Sequence, residues 1–283
     1  MSDPAAPFAF EMIRRAPSPR TAGLIAGITG YRETARGRFF QRETAGLVVP
    51  LIISVGTPFL IALGRDPDAD DRQPSFAAGL YAGPAHIESD GGAECVQVDF
   101  TPLGAYSFFG GAVVDLAARM VDIGDVLGRE GRQLRERLGA TSRWQDRFDL
   151  VEDFVAGRAT HLPSSEIAFA YGRLAHSAGG TRIAALASEI GWSRKHLVDR
   201  FRAEIGLAPK PVARIMRFHE ACRLARTETA SGWASIAAES GYSDQAHLVR
   251  EFADLAGETP TAWARRLRLI DSRLTRPLEA RAA

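Results

Sequence analysis

The last third of the chain contains the same sequence pattern twice. The first copy spans residues 183–201 and the second spans residues 233–252. The copies share a glycine–aromatic–serine step, a His-Leu-Val run and a later Phe, Gly and Pro: Gly191-Trp192-Ser193, His196-Leu197-Val198, Phe201, Gly206 and Pro209, then Gly241-Tyr242-Ser243, His247-Leu248-Val249, Phe252, Gly257 and Pro260. The offset is 50 residues up to the serine and 51 from the histidine onward, so the second copy has one additional residue.

Each copy has the apolar spacing of two short helices joined by a sharp turn. In the first copy, apolar residues recur at i, i+3, i+4 and i+7, at Ile183, Leu186, Ala187 and Ile190. Gly191 can adopt the positive φ that ends this helix, and Ser193 is a good N-cap for the next one. The spacing predicts a helix-turn-helix. A single copy also occurs in proteins that do not bind DNA, whereas two copies in matched register favour DNA binding.

A third helix is predicted between the two copies. It begins at Pro209, which is tolerated in a first helical turn, and runs to about Arg226. About eighteen residues at ~1.5 Å each give a rod of roughly 27 Å. With helix widths added, two recognition helices would lie about 34 Å apart, which is one turn of B-DNA. One chain is therefore predicted to read two successive major-groove faces.

Residues from about 164 to 267 resemble the DNA-binding domain of AraC/XylS-type transcriptional regulators. The most specific stretch is residues 236–252, followed by Gly-Glu-Thr-Pro-Thr-Ala-Trp at residues 257–263. The resemblance implies two helix-turn-helix subdomains joined by a long helix. It also implies binding to double-stranded promoter DNA, most often to activate transcription with RNA polymerase as a partner.

In that family, base contacts come from exposed residues early in each recognition helix. Carried over by position, these are Arg194, Lys195, Val198 and Asp199 in the first copy and Gln245, Ala246, Val249 and Arg250 in the second. His196, His247 and Arg202 are further DNA-binding candidates, with packing inside the motif or solvated charge as the alternatives. Further candidates for phosphate contacts, with solvated surface charge as the alternative, are Arg214, Arg217, Arg265 and Arg266. Asp199 departs from the family pattern, because a carboxylate repels phosphate and can only accept from a base such as cytosine.

The charge is distributed unevenly along the chain. Residues 180–283 hold 17 Lys and Arg against 12 Asp and Glu, while residues 1–179 hold 18 Lys and Arg against 22 Asp and Glu. A mildly basic C-terminal part beside an acidic N-terminal part fits a DNA reader attached to another domain. A coding bias towards arginine and alanine would produce the same excess.

The sequence pattern of the N-terminal half predicts β-strands first and helices after them. Expected strands are residues 24–29, 47–55, 59–63, 76–81, 86–88 and 95–100, and helical spacing is expected from Gly110 through Met120 to Val155. This order resembles the cupin-like sensor domain, closed by helices, of many AraC/XylS members. The aromatic residues Phe100, Tyr106, Phe108 and Phe109 could line a pocket, with core packing as the alternative.

Other patterns limit the classes of protein. Residues 46–64 carry no charge, but Pro50, Gly56 and Pro58 favour two strands over a membrane span. Two cysteines, Cys95 and Cys222, allow no disulfide framework or zinc cluster, and with no signal peptide they indicate a reducing cytoplasm. His86 is the only histidine before His161, which excludes a multi-histidine metal centre there. No catalytic motif appears, so neither an enzyme nor a cofactor is expected.

The predicted protein is an α+β regulator. A cupin-like domain over residues 1–157, with a sensing or dimerising role, precedes an all-α DNA-binding domain over residues 163–270. The two helix-turn-helix motifs lie at about 181–206 and 231–257, and residues 1–8 and 271–283 are expected to be flexible ends. The N-terminal domain is expected to bind a small apolar or amphipathic effector, to form a homodimer, or to do both. The alternatives are an architectural or repair-associated DNA-binding protein, or an enzyme with an accessory helical domain.

Overall fold

The computed structural model describes residues 10–34, 36–227 and 232–274, in which a two-layer β-sandwich is followed by helices. The strands are β1 Phe10–Arg15, β2 Ile25–Glu33, β3 Arg36–Glu43, β4 Val49–Ser54, β5 Phe59–Leu63, β6 Arg72–Gln73, β7 Ser75–Ala78, β8 Ala85–Gly91, β9 Glu94–Phe100 and β10 Met120–Asp122. The α-helices are α1 Pro102–Phe109, α2 Val113–Leu116, α3 Ile123–Ala140, α4 Trp144–Arg158, α5 Ser165–His176, α6 Ile183–Glu189, α7 Arg194–Ile205, α8 Pro209–Thr227, α9 Trp233–Glu239, α10 Gln245–Ala256 and α11 Pro260–Leu274. The mixed α+β class is confirmed.

The strands form two antiparallel sheets. One has the order β1-β2-β9-β4-β7-β10 and the other the order β3-β8-β5-β6. The uncharged residues 46–64 supply β4 and β5, which belong to different sheets, so the chain crosses between the layers at residues 55–58. None of the described helices is long and apolar enough to cross a membrane.

Strand β9 shows how the sandwich is filled. Successive side chains of a strand point to opposite faces. Val96, Val98 and Phe100 pack with the helices that cover the six-stranded sheet. Cys95 points the other way, into the space between the sheets, where it joins a smaller apolar cluster with residues such as Ile52. The aromatic residues Phe100, Phe108 and Phe109 are buried in ring contact with one another, so core packing is their role.

The strands missed by the sequence analysis are β1, β3, β6 and β10. Strand β3 has the sequence Arg-Gly-Arg-Phe-Phe-Gln-Arg-Glu, in which charge obscures the alternation that marks a half-buried strand. Met120 is in β10 rather than in a helix, because it pairs with Ala78 along the edge of the large sheet. Helical structure begins at Pro102, earlier than expected, and Thr101 caps α1 by accepting from the backbone N–H of Gly104.

The predicted long helix between the repeated motifs is α8. Helix α11 extends to Leu274, past residue 271, where the flexible tail was expected to begin. The expected flexible residues 1–8 and the rest of the tail, 275–283, lie outside the described residues. One apolar cluster runs without a break from the sandwich through α7 to Met216, while the second helix-turn-helix forms a separate core around Phe218, Phe252 and Trp263.

Candidate nucleic-acid interface

The first repeated motif folds as the helix pair α6 and α7. Gly191 lies between them with φ +71°, a left-handed conformation that glycine adopts without steric cost. Ser193 is the N-cap of α7, and its hydroxyl accepts from the backbone N–H of His196 at 3.1 Å. Leu197 and Phe201 are fully buried and hold α7 against the core. The first turn of α7 is thereby fixed in a defined orientation.

The second motif folds as α9 and α10 with one difference at the turn. Gly241 has φ +78°, but the N-cap of α10 is Asp244 and not the repeated Ser243. The Asp244 carboxylate accepts from the backbone N–H of His247 at 2.7 Å, and this hydrogen bond lowers the pKa of the carboxyl group. The additional residue of the second copy is thus a replacement helix cap. It keeps the recognition helices equivalent from their first residues, Arg194 and Gln245.

The two repeated histidines pack against the aromatic residue of their own turn. The ring centroids of Trp192 and His196 are 4.5 Å apart and those of Tyr242 and His247 are 5.1 Å apart, both in edge-on geometry. The His247 ring also lies 3.2 Å from the hydroxyl of Ser243. In both copies the histidine therefore braces the turn between the helices.

The sequence-derived candidates form one face in each recognition helix. In α7, Arg194, Lys195, His196, Asp199 and Arg202 are exposed and Val198 is half-buried. In α10, Gln245, Ala246 and Arg250 are exposed, and His247 and Val249 are half-buried. Apart from Arg202, which lies one turn further along α7, each set lies on the first two turns of its helix and excludes the buried leucine and phenylalanine.

The arginines of the helical part divide into paired and unpaired groups. Arg214 binds Glu251 and Asp254, Arg217 donates to the carbonyl of Gly179, and Arg266 binds Glu258. These three arginines are half-buried and have partners within the protein, and their contacts with phosphate stay a prediction. By contrast, no carboxylate of the described residues lies within 4 Å of Arg194, Lys195, Arg202, Arg250 or Arg265.

The cysteines and His86 are each buried in the fold. Cys95 and Cys222 are both buried and free, and burial raises the pKa of each thiol to about 12. No group of three or more His, Cys, Asp or Glu among the described residues is arranged to hold a metal ion. His86 lies in β8, with its ring 2.7 Å from the Asp66 carboxylate.

Comparison with known families assigns the helical part. Residues 186–266, which include α7 to α10, match the family model described as a helix-turn-helix domain. The C-terminal part is an AraC-type helix-turn-helix domain. The chain is therefore a DNA-binding transcriptional regulator, as the sequence predicted. A comparison with curated protein sequences finds no significant match.

Among solved structures, the chain is similar to ToxT from Vibrio cholerae. A 1.65 Å structure of ToxT has 9% identity and a TM-score of 0.44, covering 92% of this chain and 98% of ToxT. ToxT bound to (E)-4-(8-methylnaphthalen-1-yl)but-3-enoic acid has 11% identity and a TM-score of 0.44, covering 93% and 100%. ToxT bound to an unsaturated fatty acid has 9% identity and a TM-score of 0.42, covering 93% and 97%.

Some residues that shape the AraC-type domain were missed from the sequence. Glu204 is 1% exposed and accepts from the backbone N–H and hydroxyl of Ser164, which ties α7 to the start of α5. Ala45, in the turn after β3, is buried in the core of the second motif. No spacing in the sequence signals contacts between residues so far apart along the chain.

Proposed function

We propose that this regulator reads promoter DNA with the first turns of α7 and α10. The observation that carries the proposal is the pair of equivalent exposed faces, each beginning at a capped helix N-terminus. Arg194, Lys195, Gln245 and Arg250 have hydrogen-bond donors suited to base edges or phosphates, while Val198 and Val249 suit a thymine methyl. Arg194 and Arg250 have no ion-pair partner among the described residues, so they can bind DNA without first breaking an ion pair.

Selection of bound duplexes from random DNA with the full-length protein tests this proposal. We expect a site with two half-sites about one helical turn apart, 10–10.5 base pairs. Anisotropy titrations of the selected duplex should show affinity falling steeply with salt, because phosphate contacts release counterions. Enrichment of no sequence, or of a single short half-site, would contradict reading by both helices.

We also propose that the sandwich binds a small-molecule effector between its two sheets. Cys95 faces this space, so Gln97 and Asp99 on the same strand face it too. Residues directly opposite in an antiparallel pair share a face, which adds Thr29 opposite Gln97 and Arg14 opposite Thr29. On the facing sheet, Ile87 packs in the same space, so Gln41, which lies opposite Ile87, faces it as well. Ala85 is on the same face of β8 as Ile87, so Glu43, which lies opposite Ala85, also faces this space. These residues keep accessible surface, unlike the packed apolar end around Cys95.

Two carboxylates, those of Glu43 and Asp99, are on these faces. Burial raises the pKa of Glu43, and the charge of Asp99 raises it further. Burial also raises the pKa of Asp99, opposed by a hydrogen bond from Gln97 and by the charge of Arg14. The Glu43 carboxylate also keeps accessible surface and accepts a hydrogen bond from the Gln41 side chain at 3.2 Å. Of the apolar and amphipathic ligands expected from the sequence, an amphipathic one with an amine or several hydroxyl groups would satisfy these acceptors better than an apolar one.

Thermal shift assays with amine-bearing metabolites, including polyamines, amino acids and amino sugars, test the ligand class. A ligand that binds only the folded state stabilises it by about 2.7 kcal/mol at 100 times its Kd. We expect Glu43→Gln to abolish the shift. Arg132→Ala is the control, because Arg132 lines a separate surface cleft with Arg135 and Glu136 in the second half of α3. Stabilisation by carboxylates instead of amines, or loss only with Arg132→Ala, would contradict the inter-sheet site.

The compartment, the effect on transcription and the oligomeric state are inferred from the resemblance to AraC/XylS-type regulators. We infer that it acts in the cytoplasm as an activator that contacts RNA polymerase, that it has no catalytic activity, and that it forms a homodimer through the region upstream of residue 157. Light scattering on the full-length protein tests the dimer. Transcription from the selected site, with and without the regulator, distinguishes an activator from a repressor.

A further inference from the structure

The turn between β3 and β4 contacts the second helix-turn-helix at the end of its recognition helix. The backbone N–H of Ala45 donates to the carbonyl of Leu255 at 2.8 Å. Nε2 of His219, on α8, donates to the carbonyl of Ala45 at 2.9 Å. Ala45 is 2% exposed and packs in the core of the second motif. Both backbone polar groups of Ala45, its N–H and its carbonyl, are thus bonded to the AraC-type domain.

Arg42 adds a second contact at the same helix end. Its Nη1 donates to the carbonyl of Gly257 at 3.1 Å. Gly257 is the C-cap of α10, and Leu255 is in its last turn, where carbonyl groups lack partners within the helix. A cation at a helix C-terminus is also favoured by the helix dipole. The sandwich therefore supplies the hydrogen-bond donors that complete the second recognition helix.

The first recognition helix is held at the equivalent point. Helices α1 and α2 pack on α7. Gly206 is the C-cap of α7, and a Cβ atom there would lie 3.3 Å from the carbonyl oxygen of Val113. On the other side, a Cβ atom at Gly257 would lie 3.1 Å from Cγ of Pro84. Both C-cap glycines therefore face the N-terminal domain, while the DNA-reading first turns remain exposed.

We propose that the N-terminal domain is a bracket that fixes the distance and rotation between the two recognition helices by holding both of their C-terminal ends. Arg42, Ala45 and His219 are the positioning residues for the second helix. The long helix α8 joins the two motifs, and without the bracket any bending or twisting of α8 would pass directly to the second motif. The bracket makes the spacing of the two half-sites part of the protein's specificity, and it acts without any effector.

Spacing tolerance on DNA tests the bracket in the full-length protein. The probe is the duplex that the wild-type protein selects from random DNA, together with versions in which one base pair is inserted or deleted between the half-sites. One base pair moves the second half-site by about 3.4 Å and rotates it by about a tenth of a turn. We expect wild type to lose about tenfold or more in affinity on the altered spacings, a loss equal to one direct contact.

The test variant is the double substitution Arg42→Ala with His219→Leu, and the control is Arg38→Ala. Arg38 lies on the same strand and has a 77% exposed side chain that pairs with Glu88 and Asp90, away from the helical domain. We expect the double variant to bind native and altered spacings within about threefold of each other, with the control unchanged. A double variant that keeps the wild-type spacing preference while folded overturns the bracket.

A cross-link keeps the proposal testable if the double variant does not fold. Arg42→Cys with Glu258→Cys, joined by a short bis-maleimide, locks the sandwich to the end of α10. We expect the cross-linked protein to bind the selected duplex with wild-type affinity and an undiminished spacing preference. If cross-linking abolishes DNA binding while the uncross-linked variant binds, the two parts must separate on DNA, and the bracket is refuted.

Discussion

Arg250 and Asp199 occupy the same position in the two recognition helices and carry opposite charges. Arg250 is exposed and can make a bidentate contact with guanine, whereas Asp199 can only accept from a base and repels phosphate. We expect Arg250→Ala to cost about 1–3 kcal/mol and to relax preference at one base position. We expect Asp199→Ala to leave non-specific binding unchanged or strengthen it. Anisotropy on the selected duplex and its single-base variants measures both effects.

Two results would count against this assignment. Wild-type affinity and base preference in Arg250→Ala would mean that α10 does not read the major groove through this residue. Abolished binding in Asp199→Ala would mean that the carboxylate accepts a specific hydrogen bond or orients a neighbouring arginine. Gln245→Ala provides a comparison within α10 that removes an amide rather than a charge.

Glu43 links the sandwich interior to pH. Because burial raises the pKa of Glu43 in the folded protein above its ordinary value of 4.5, its ionised form opposes folding. This destabilisation is absent below the ordinary pKa, grows as the pH rises from the ordinary to the raised pKa, and is complete above the raised pKa. We expect Glu43→Gln to raise the Tm at neutral pH, with the difference vanishing below about pH 4.5. A Tm difference between Glu43→Gln and the wild type that is the same at neutral pH and below pH 4.5 would contradict the prediction.

At the level of the helices, the two motifs use different N-caps for equivalent recognition helices. Ser193→Ala removes the hydroxyl that accepts from His196 and should cost about 0.5–2 kcal/mol of stability. Asp244→Ala should speed hydrogen exchange in the first turn of α10 and weaken DNA binding, because the backbone N–H of His247 loses its acceptor. Asp244→Ser is the matched control, since it restores the cap of the first motif. Equal exchange rates in the alanine and serine variants would show that the cap does not order this turn.

The helices of the AraC-type domain could be predicted because their spacing, glycine turns and caps are local signals. Strand β3 could not, because its charged residues serve two partners that lie far away in the sequence. Arg42 donates to the carbonyl of Gly257 at the end of α10, and the charge of Asp99 acts on Glu43. The exposed faces of α7 and α10 followed from the repeat, but Asp244 as the cap did not, because the serine beside it matched the first copy. Contacts across about 200 residues leave no periodic pattern in a single sequence.

For the whole molecule, the shared core between the sandwich and the first motif affects what the helical part can do alone. We expect the fragment of residues 163–270 to fold and to bind the selected duplex, because both motifs and α8 lie within it. Its Tm should be lower than that of the full-length protein, because removing the sandwich uncovers the end of α7 near Val113 and takes Ala45 out of the second core. Its tolerance of altered half-site spacing should match that of the bracket variant. Circular dichroism on melting, followed by anisotropy at low and high salt, measures these properties. A fragment that folds but binds no selected duplex at low salt would show that DNA reading requires the sandwich as well as the two recognition helices.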